Sequence, residues 1–410
     1  MSATTAPRVV TPRDVDALAG LLRQAHASRT PVRITGASTW RNAGRPVATP
    51  HDVLDVRALA GVIEYEPGDL VLTVGAATTL AEIDAVTAPH GQWIGLDPFG
   101  TDAGTIGATV ATASVGPLSY AYGAPRDQLL GLAYVTGEGT VAHGGGRVVK
   151  NVAGFDVVRL HCGAWGTLGV ITSVSLRCFA RPAAEATLAL PLPERATARD
   201  ELLDTLRNAA IAPFACVVVD GALAARLGRI ASPCVLLRLG GNAAALRAQC
   251  DVVAALGPAE LLDQSAWRAL RAMDDEALAV ARVSARPASL GAAWQHVDAA
   301  LQHSGIAADA VRRAALLDRG VIRLAIDRAS DEALTTLIAR LAPPGGAVRW
   351  ESLPASCWPF VRSAVDDALS KRVRAAFDPA RILNRGVLGE QHLDAAITTA
   401  PPAMPSISAA

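Results

Sequence analysis

The chain has 410 residues, 51% of them hydrophobic and 19% charged, with no net charge at neutral pH. That length suits two domains around a large buried core. No basic stripe invites nucleic acid, no polybasic run invites anionic lipid, and no apolar stretch approaches the roughly 20 residues of a membrane span.

The N-terminus, MSATTAPRVVTPRDVD, has no charged-then-apolar leader layout, so a soluble, cytoplasmic chain is expected. TPRDVDALAGLLRQAHASRTPVRITG reads as cap, helix, turn and strand. Thr11 is the expected cap, and Val15, Leu18, Leu21 and Leu22 make one apolar face. Strand-like runs follow in VLDV, GVIEYEP and DLVLTVGA. A helix is expected over Leu80–His90, opened by Thr78 or Thr79 with Glu82 at a capping-box spacing.

Residues 94–125 are almost wholly small and hold no lysine or arginine. Such a segment lets backbones approach closely or wraps a ligand. LLGLAYVTGEGTVAHGGG reads as two strands joined at Gly137–Gly139, and GVITSVSL as a last strand ending near Pro182.

From 183 the texture changes. The strand-like runs ATLALPL, FACVVVD, CVLLRLGG, LAVARVSA, VIRLAID and AVRWES alternate with alanine-rich helices near 196–209, 243–256, 290–303 and 329–342. That order predicts an α+β domain whose antiparallel sheet is covered by helices. A further helix and FDPARILNRGVL fill 355–390, and the small, proline-bearing tail is expected to be disordered.

Three segments carry candidate chemistry. In RITGASTWRNAGRP, Thr35, Gly36, Ala37, Ser38 and Thr39 follow a strand. Their small side chains leave room for backbone N–H groups to meet a pyrophosphate, although an ordinary surface turn would read the same. In GTIGATVATASVG, Thr105, Gly107, Thr109, Thr112 and Gly116 can present hydroxyls and bare backbone to a long ligand, or can serve tight packing. In VVKNVAGFDVVRLHCGAWGTLGVIT, Gly163, Gly166 and Gly169 suit a loop feeding a strand. Of 38 lysines and arginines only Lys150 and Lys371 are lysine, so Lys150 either survives by chance or serves where an ammonium differs from a guanidinium.

Other chemistry is poorly served. The six cysteines form no C-x-x-C pair and read as small buried hydrophobes, and no metal site is expected. His296 and His303 are seven apart without a zincin carboxylate, and no G-x-S-x-G elbow occurs.

Taken in order, PVRITGASTWRNAGRP, LVLTVGAATTLAEID, GQWIGLDP, GTIGATVATASVGP, YGAPRDQLLG, VVKNVAGFDVVRL, GTLGVITSVSL and FDPARILNRG resemble the FAD-binding family of vanillyl-alcohol oxidase and p-cresol methylhydroxylase. Within it they are most similar to the E-type subunits of bacterial glycolate oxidase (glycolate dehydrogenase). The resemblance is strong over about residues 8–182, weak over 183–350, and returns at 371–389. It implies an α+β chain: a two-subdomain p-cresol methylhydroxylase-type FAD-binding domain (1–182), an α+β cap (183–354), a segment returning to the FAD domain (355–392) and a tail (393–410).

Carried over residue by residue, the resemblance implies that Thr35 to Thr39 wrap the FAD pyrophosphate. Pro98, Thr105, Gly107, Thr109, Thr112 and Gly116 line the cofactor, with Tyr122 and Gly123 by the flavin. Gly169, Val170 and Ile171 offer backbone contacts. Asn384 matches the asparagine of the family's N-P-G, with Arg385 in place of its proline. The family's linkage histidine is absent from 35–46, implying non-covalent FAD. Lys150, Asn151 and Asp156 are expected to fix a loop against the FAD domain.

The implied function is flavin-mediated oxidation of glycolate or another 2-hydroxy acid within a complex. Its partners are a homologous flavoprotein subunit and an iron–sulfur subunit, and attachment at the inner membrane is peripheral, through those partners. A self-contained FAD-dependent dehydrogenase and a non-catalytic structural subunit are the alternatives. No histidine stands out as a general base. Arg282, on strand LAVARVSA, is the candidate for a substrate carboxylate.

Overall fold

In a computed structural model, residues 7–40, 43–47, 51–146, 155–227 and 232–390 are described. Lys150, Asn151 and the tail beyond Glu390 lie outside them.

The first lobe contains two sheets. Val9–Val10, Asp52–Asp55 and Val32–Thr35 make a three-stranded parallel sheet, with Asp52–Asp55 in the middle. The helix Val15–Ser28 buries Leu18 and Leu22 in the same core as Val32 and Leu54. Its cap is Asp14, whose Oδ1 accepts from Ala17 N at 2.7 Å, rather than Thr11. Asp14 stands directly before the first helical residue, where its side chain reaches an otherwise orphaned N–H.

The second sheet runs Val62–Glu66, Val71–Gly75, Val170–Ala180, Leu129–Val135, Val141–Gly145, antiparallel throughout, with Gln92–Ile94 also on Val170–Ala180. The long central strand alternates cleanly. Val174, Leu176 and Cys178 are inaccessible, whereas Ser173, Ser175 and Arg177 point the other way. The helix Leu80–Thr87 carries the expected capping box between Thr79 and Glu82, and a short 3-10 turn completes the run to His90.

The second lobe is one eight-stranded antiparallel sheet, ordered 260–262, 184–191, 234–241, 215–219, 311–316, 321–326, 279–284, 347–352. Both faces are buried. Cys216, Val218, Val235, Leu237 and Leu239 join the core beneath the long helices, while their neighbours Val217, Val219, Cys234 and Leu236 join a core on the opposite face with Trp267 and Met273. Burial on both faces explains why ACVVV and CVLL read as unbroken apolar runs.

Strand Val311–Leu316 is hidden in the sequence by Arg312 and Arg313. Arg312 is buried, donating to Met273 O at 2.9 Å and pairing with Asp327. Arg313 lies over Trp294 and pairs with Asp220 and Asp298.

The last described residues return to the first lobe. Asp378 accepts from Ile382 N and Leu383 N at 3.0 and 2.9 Å, forming the turn after helix Ala368–Phe377. Val32 N then donates to Ile382 O and Asn384 N to Val32 O, at 2.8 and 2.9 Å, so the segment borders the parallel sheet.

Candidate functional site

Parallel strands place their carboxyl ends side by side, and the space beyond those ends is where such sheets receive ligands. Here Thr35 is the register partner of Asp55. Beyond them opens a crevice of about 590 Å³, within the usual range of cofactor pockets, roughly 300–1,000 Å³.

Its first wall is the turn after Val32–Thr35. The N–H groups of Gly36, Ala37, Ser38 and Thr39 find no acceptor among the described residues. Ser38 has φ 57°, which lets consecutive amides converge on one point. Successive free amides of this kind form an anion-binding concavity. Gly36 leaves room here, because a Cβ would stand 3.0 Å from Thr105 Oγ1 and press on that side chain. Arg33 lines the same crevice, with its Nη2 donating to Ala43 O at 3.4 Å.

The second wall is helix Ile106–Thr112, capped by Thr105 through a 3.3 Å bond from Ala108 N. Gly107 N donates to Ala76 O at 2.8 Å, and a Cβ on Gly107 would lie 2.7 Å from that oxygen. Only glycine allows this helix to pack so closely on the sheet.

The third wall joins the turn before Val170–Ala180 to the C-terminal segment. Trp165 and Gly166, with φ 55° and 67°, together with Gly169, Val170 and Ile171, line the crevice. Asn384 ties the walls together. Its Oδ1 accepts from Ile34 N and its Nδ2 donates to Trp165 O, both at 2.8 Å.

Thus Thr35 to Thr39, Thr105, Gly107, Thr112, Gly169, Val170, Ile171 and Asn384 are brought together. Pro98, Thr109, Gly116, Tyr122 and Gly123 do not line the crevice. Pro98 O accepts from Arg271 Nε at 2.8 Å, and Thr109 Oγ1 donates back to Thr105 O. Gly116 backs onto Asp97, whose Oδ1 accepts from Leu118 N at 2.9 Å and whose carboxyl is pushed up to about 7 by burial. Tyr122 accepts from Trp93 Nε1 and packs against Phe179 and Phe214. Gly123, at φ 87°, turns the chain against Asp127. Asp156 caps helix Val157–His161 through Arg159 N.

Arg282 does project toward the first lobe, donating to Ala113 O at 3.1 Å with Glu351 3.6 Å from its Nε. Its cross-strand partners are Arg323 and Arg349. Burial works against the Glu351 carboxylate, but Arg323 and Arg282 beside it hold it below the ordinary range. To receive a substrate carboxylate, Arg282 would have to exchange partners it already has.

His51 and Asp55 also line the crevice and were not singled out from sequence. For Asp55 the signal was the parallel neighbour VLDV, which carries its carboxyl end to the same edge, whereas His51 stands before that strand and no local signal marked it. Asp55 is held below the ordinary carboxylate range by hydrogen bonds from Arg57, at 2.6–3.0 Å.

The geometry agrees with the relatives. Residues 6–145 match the FAD binding domain family. Glycolate oxidase subunit GlcE of Escherichia coli (strain K12) is 38% identical over 174 residues, 42% of this chain and 49% of that protein. The D-lactate dehydrogenase of Archaeoglobus fulgidus is 28% identical over 200 residues, 49% of this chain and 45% of that protein. The chain therefore spans about half the length of these relatives. Among solved structures, alkyldihydroxyacetonephosphate synthase superposes with TM-score 0.67 at 18% identity, over 92% of this chain and 75% of that one. That likeness establishes the shared two-lobed fold.

FAD suits the donors present. Four unmet amides and Arg33 answer a pyrophosphate, while Thr35, Ser38, Thr39, Thr105 and Thr112 offer hydroxyls. Among the described residues no group of three His, Cys, Asp or Glu side chains is placed to hold a metal, and no helix is long and apolar enough to cross a membrane.

Proposed function

We propose that this chain is the FAD-holding subunit of a complex that oxidises a small 2-hydroxy acid, glycolate foremost, to the 2-oxo acid. FAD, when bound, supplies a two-electron acceptor. The chain's own residues hold and orient it. The amides of Gly36 to Thr39 and Arg33 take the pyrophosphate, Asn384 fixes the angle between two crevice walls, and Trp165 screens the crevice from the far side of the turn. Residues 1–182 act as the cofactor domain, 183–354 as a cap, and 355–392 as a strap.

The observation that carries this reading is the run of four unpartnered amides at the carboxyl end of a parallel strand. The dense pairing of Arg282 with Ala113 and Glu351 favours a partner's contribution to substrate handling over a self-contained enzyme. The cofactor is expected to be held non-covalently, because the turn 35–40 contains no histidine. The partners are a homologous flavoprotein subunit and an iron–sulfur subunit, and the complex works in the cytoplasm or at the inner membrane's surface through them.

The test is anaerobic addition of glycolate, with D-lactate in parallel, to the chain alone and to the complex purified through it. Bleaching of the complex by glycolate is the expected result. Turnover of either acid by the lone chain would favour a self-contained dehydrogenase. A colourless chain that cannot be reconstituted with FAD would leave only a structural role.

A further inference from the structure

A second cavity, about 570 Å³, lies behind the wall of the FAD crevice. Two turns form the partition. In the first, Trp165, Gly166 and Gly169 face the crevice, and Gly163, Ala164, Thr167 and Leu168 face the second cavity. In the second, Asn384 and Val387 face the crevice, and Arg385, Leu388 and Gly389 face the cavity. The Asn384–Trp165 bond holds the turns together.

The charges around this cavity are one-sided. Arg45, Arg349, Lys371, Arg374, Arg381 and Arg385 line it, against the single carboxylate of Glu390. Arg374 is answered by Glu390 and Asp378. Arg45 donates to Val361 O and lies over Trp358. Arg349, Lys371 and Arg381 form no ion pair with a carboxylate of the described residues. Arg349 is largely buried, with its guanidinium 5.8 Å from the centre of the Trp165 ring and Arg282 as cross-strand neighbour. Burial of the Arg349 guanidinium is costly and lowers its pKa, and an anion set beside it offsets that cost. A single carboxylate brings one negative charge to three cations, whereas a dianion brings two and presents more acceptor oxygens to the same donors. Leu160, Leu168, Val373 and Leu369 supply an apolar side, and Leu369 remains 61% exposed.

We propose that this cavity binds a small organic dianion with a hydrocarbon portion, a phosphomonoester or a dicarboxylate, at a site separate from the FAD crevice and coupled to it through the shared wall. The site goes beyond the proposed oxidation, since it faces away from the crevice. A ligand pressing on the 163–168 turn also orders the turn that lines the FAD site, so each ligand raises the other's affinity by the same factor.

The experiment is calorimetric titration of the FAD-loaded full chain with phenyl phosphate, phthalate and, as a monoanion, benzoate. At least one dianion should bind about tenfold more tightly than benzoate or better, and which one does so distinguishes phosphate from dicarboxylate chemistry. The double substitution Lys371→Glu with Arg381→Glu should weaken that binding about tenfold while FAD content is kept, and the dianion should slow FAD release from the parent chain. Dianions no tighter than benzoate, binding indifferent to the double substitution, or competition with glycolate would each overturn the proposal. Should the double variant not fold, hydrogen exchange on the parent chain decides. Protection of 369–374 and 386–389 by the dianion supports the site, and unchanged exchange there overturns it.

Discussion

Gly36 illustrates how much depends on single positions. Its missing side chain keeps Thr105 in place and leaves the amides of 36–39 open. Gly36→Asp would set a negative charge in the anion concavity, and FAD content on purification should fall to about a tenth or less while the far-ultraviolet spectrum is retained. Asn384 is the second such position. Asn384→Ala leaves the Ile34 N–H without its acceptor and should cost about 1–3 kcal/mol in denaturant titration of the apo chain. Asn384→Asp keeps the acceptor and should recover part of that loss.

His161 supplies a pH test. It is 1% exposed, its Nε2 has no partner among the described residues, and burial pushes its pKa down to about 4. The unfolded chain, with an ordinary value near 6.5, binds the proton first, so stability present above about pH 6.5 is lost as pH falls toward about 4. The loss amounts to up to about 3 kcal/mol, and His161→Leu should flatten that part of the stability–pH curve.

At the scale of elements, local chemistry was readable where one signal dominated. Thr79 with Glu82 announced its helix, and small residues after VRIT announced a turn, whose amides meet no acceptor among the described residues. Thr11 was misplaced as a cap because Asp14, whose side chain can cap equally well, stands three residues on, and only the backbone's path chooses it. Strand Val311–Leu316 was missed because its arginines find partners in Met273, Asp220 and Asp298, which belong to other elements and which the local sequence does not reveal.

The same blindness covers the lobe contact. Arg271, Arg282 and Arg319 reach across to the carbonyls of Pro98, Ala113 and Ser119. Nothing local distinguishes Arg271 and Arg319 among so many arginines, and Arg282 was singled out for a substrate carboxylate rather than for this contact. Arg271→Ala removes the Nε bond to Pro98 O and the 2.7 Å pair with Asp102, and should speed amide exchange at Gly100 and its neighbours relative to the parent.

For the whole molecule, the order of motifs carried more than any one of them. Three stretches far apart in sequence converge on one crevice, because a parallel sheet, a helix docked through Gly107 and a returning C-terminal segment share one edge. That convergence is the central claim, and FAD release tests it most directly. The full chain, purified in the dark and denatured, should yield close to one free FAD per chain in the supernatant, and Gly36→Asp should yield almost none. A chain that never carries or takes up FAD, or a Gly36→Asp variant that carries as much as the parent, would contradict it.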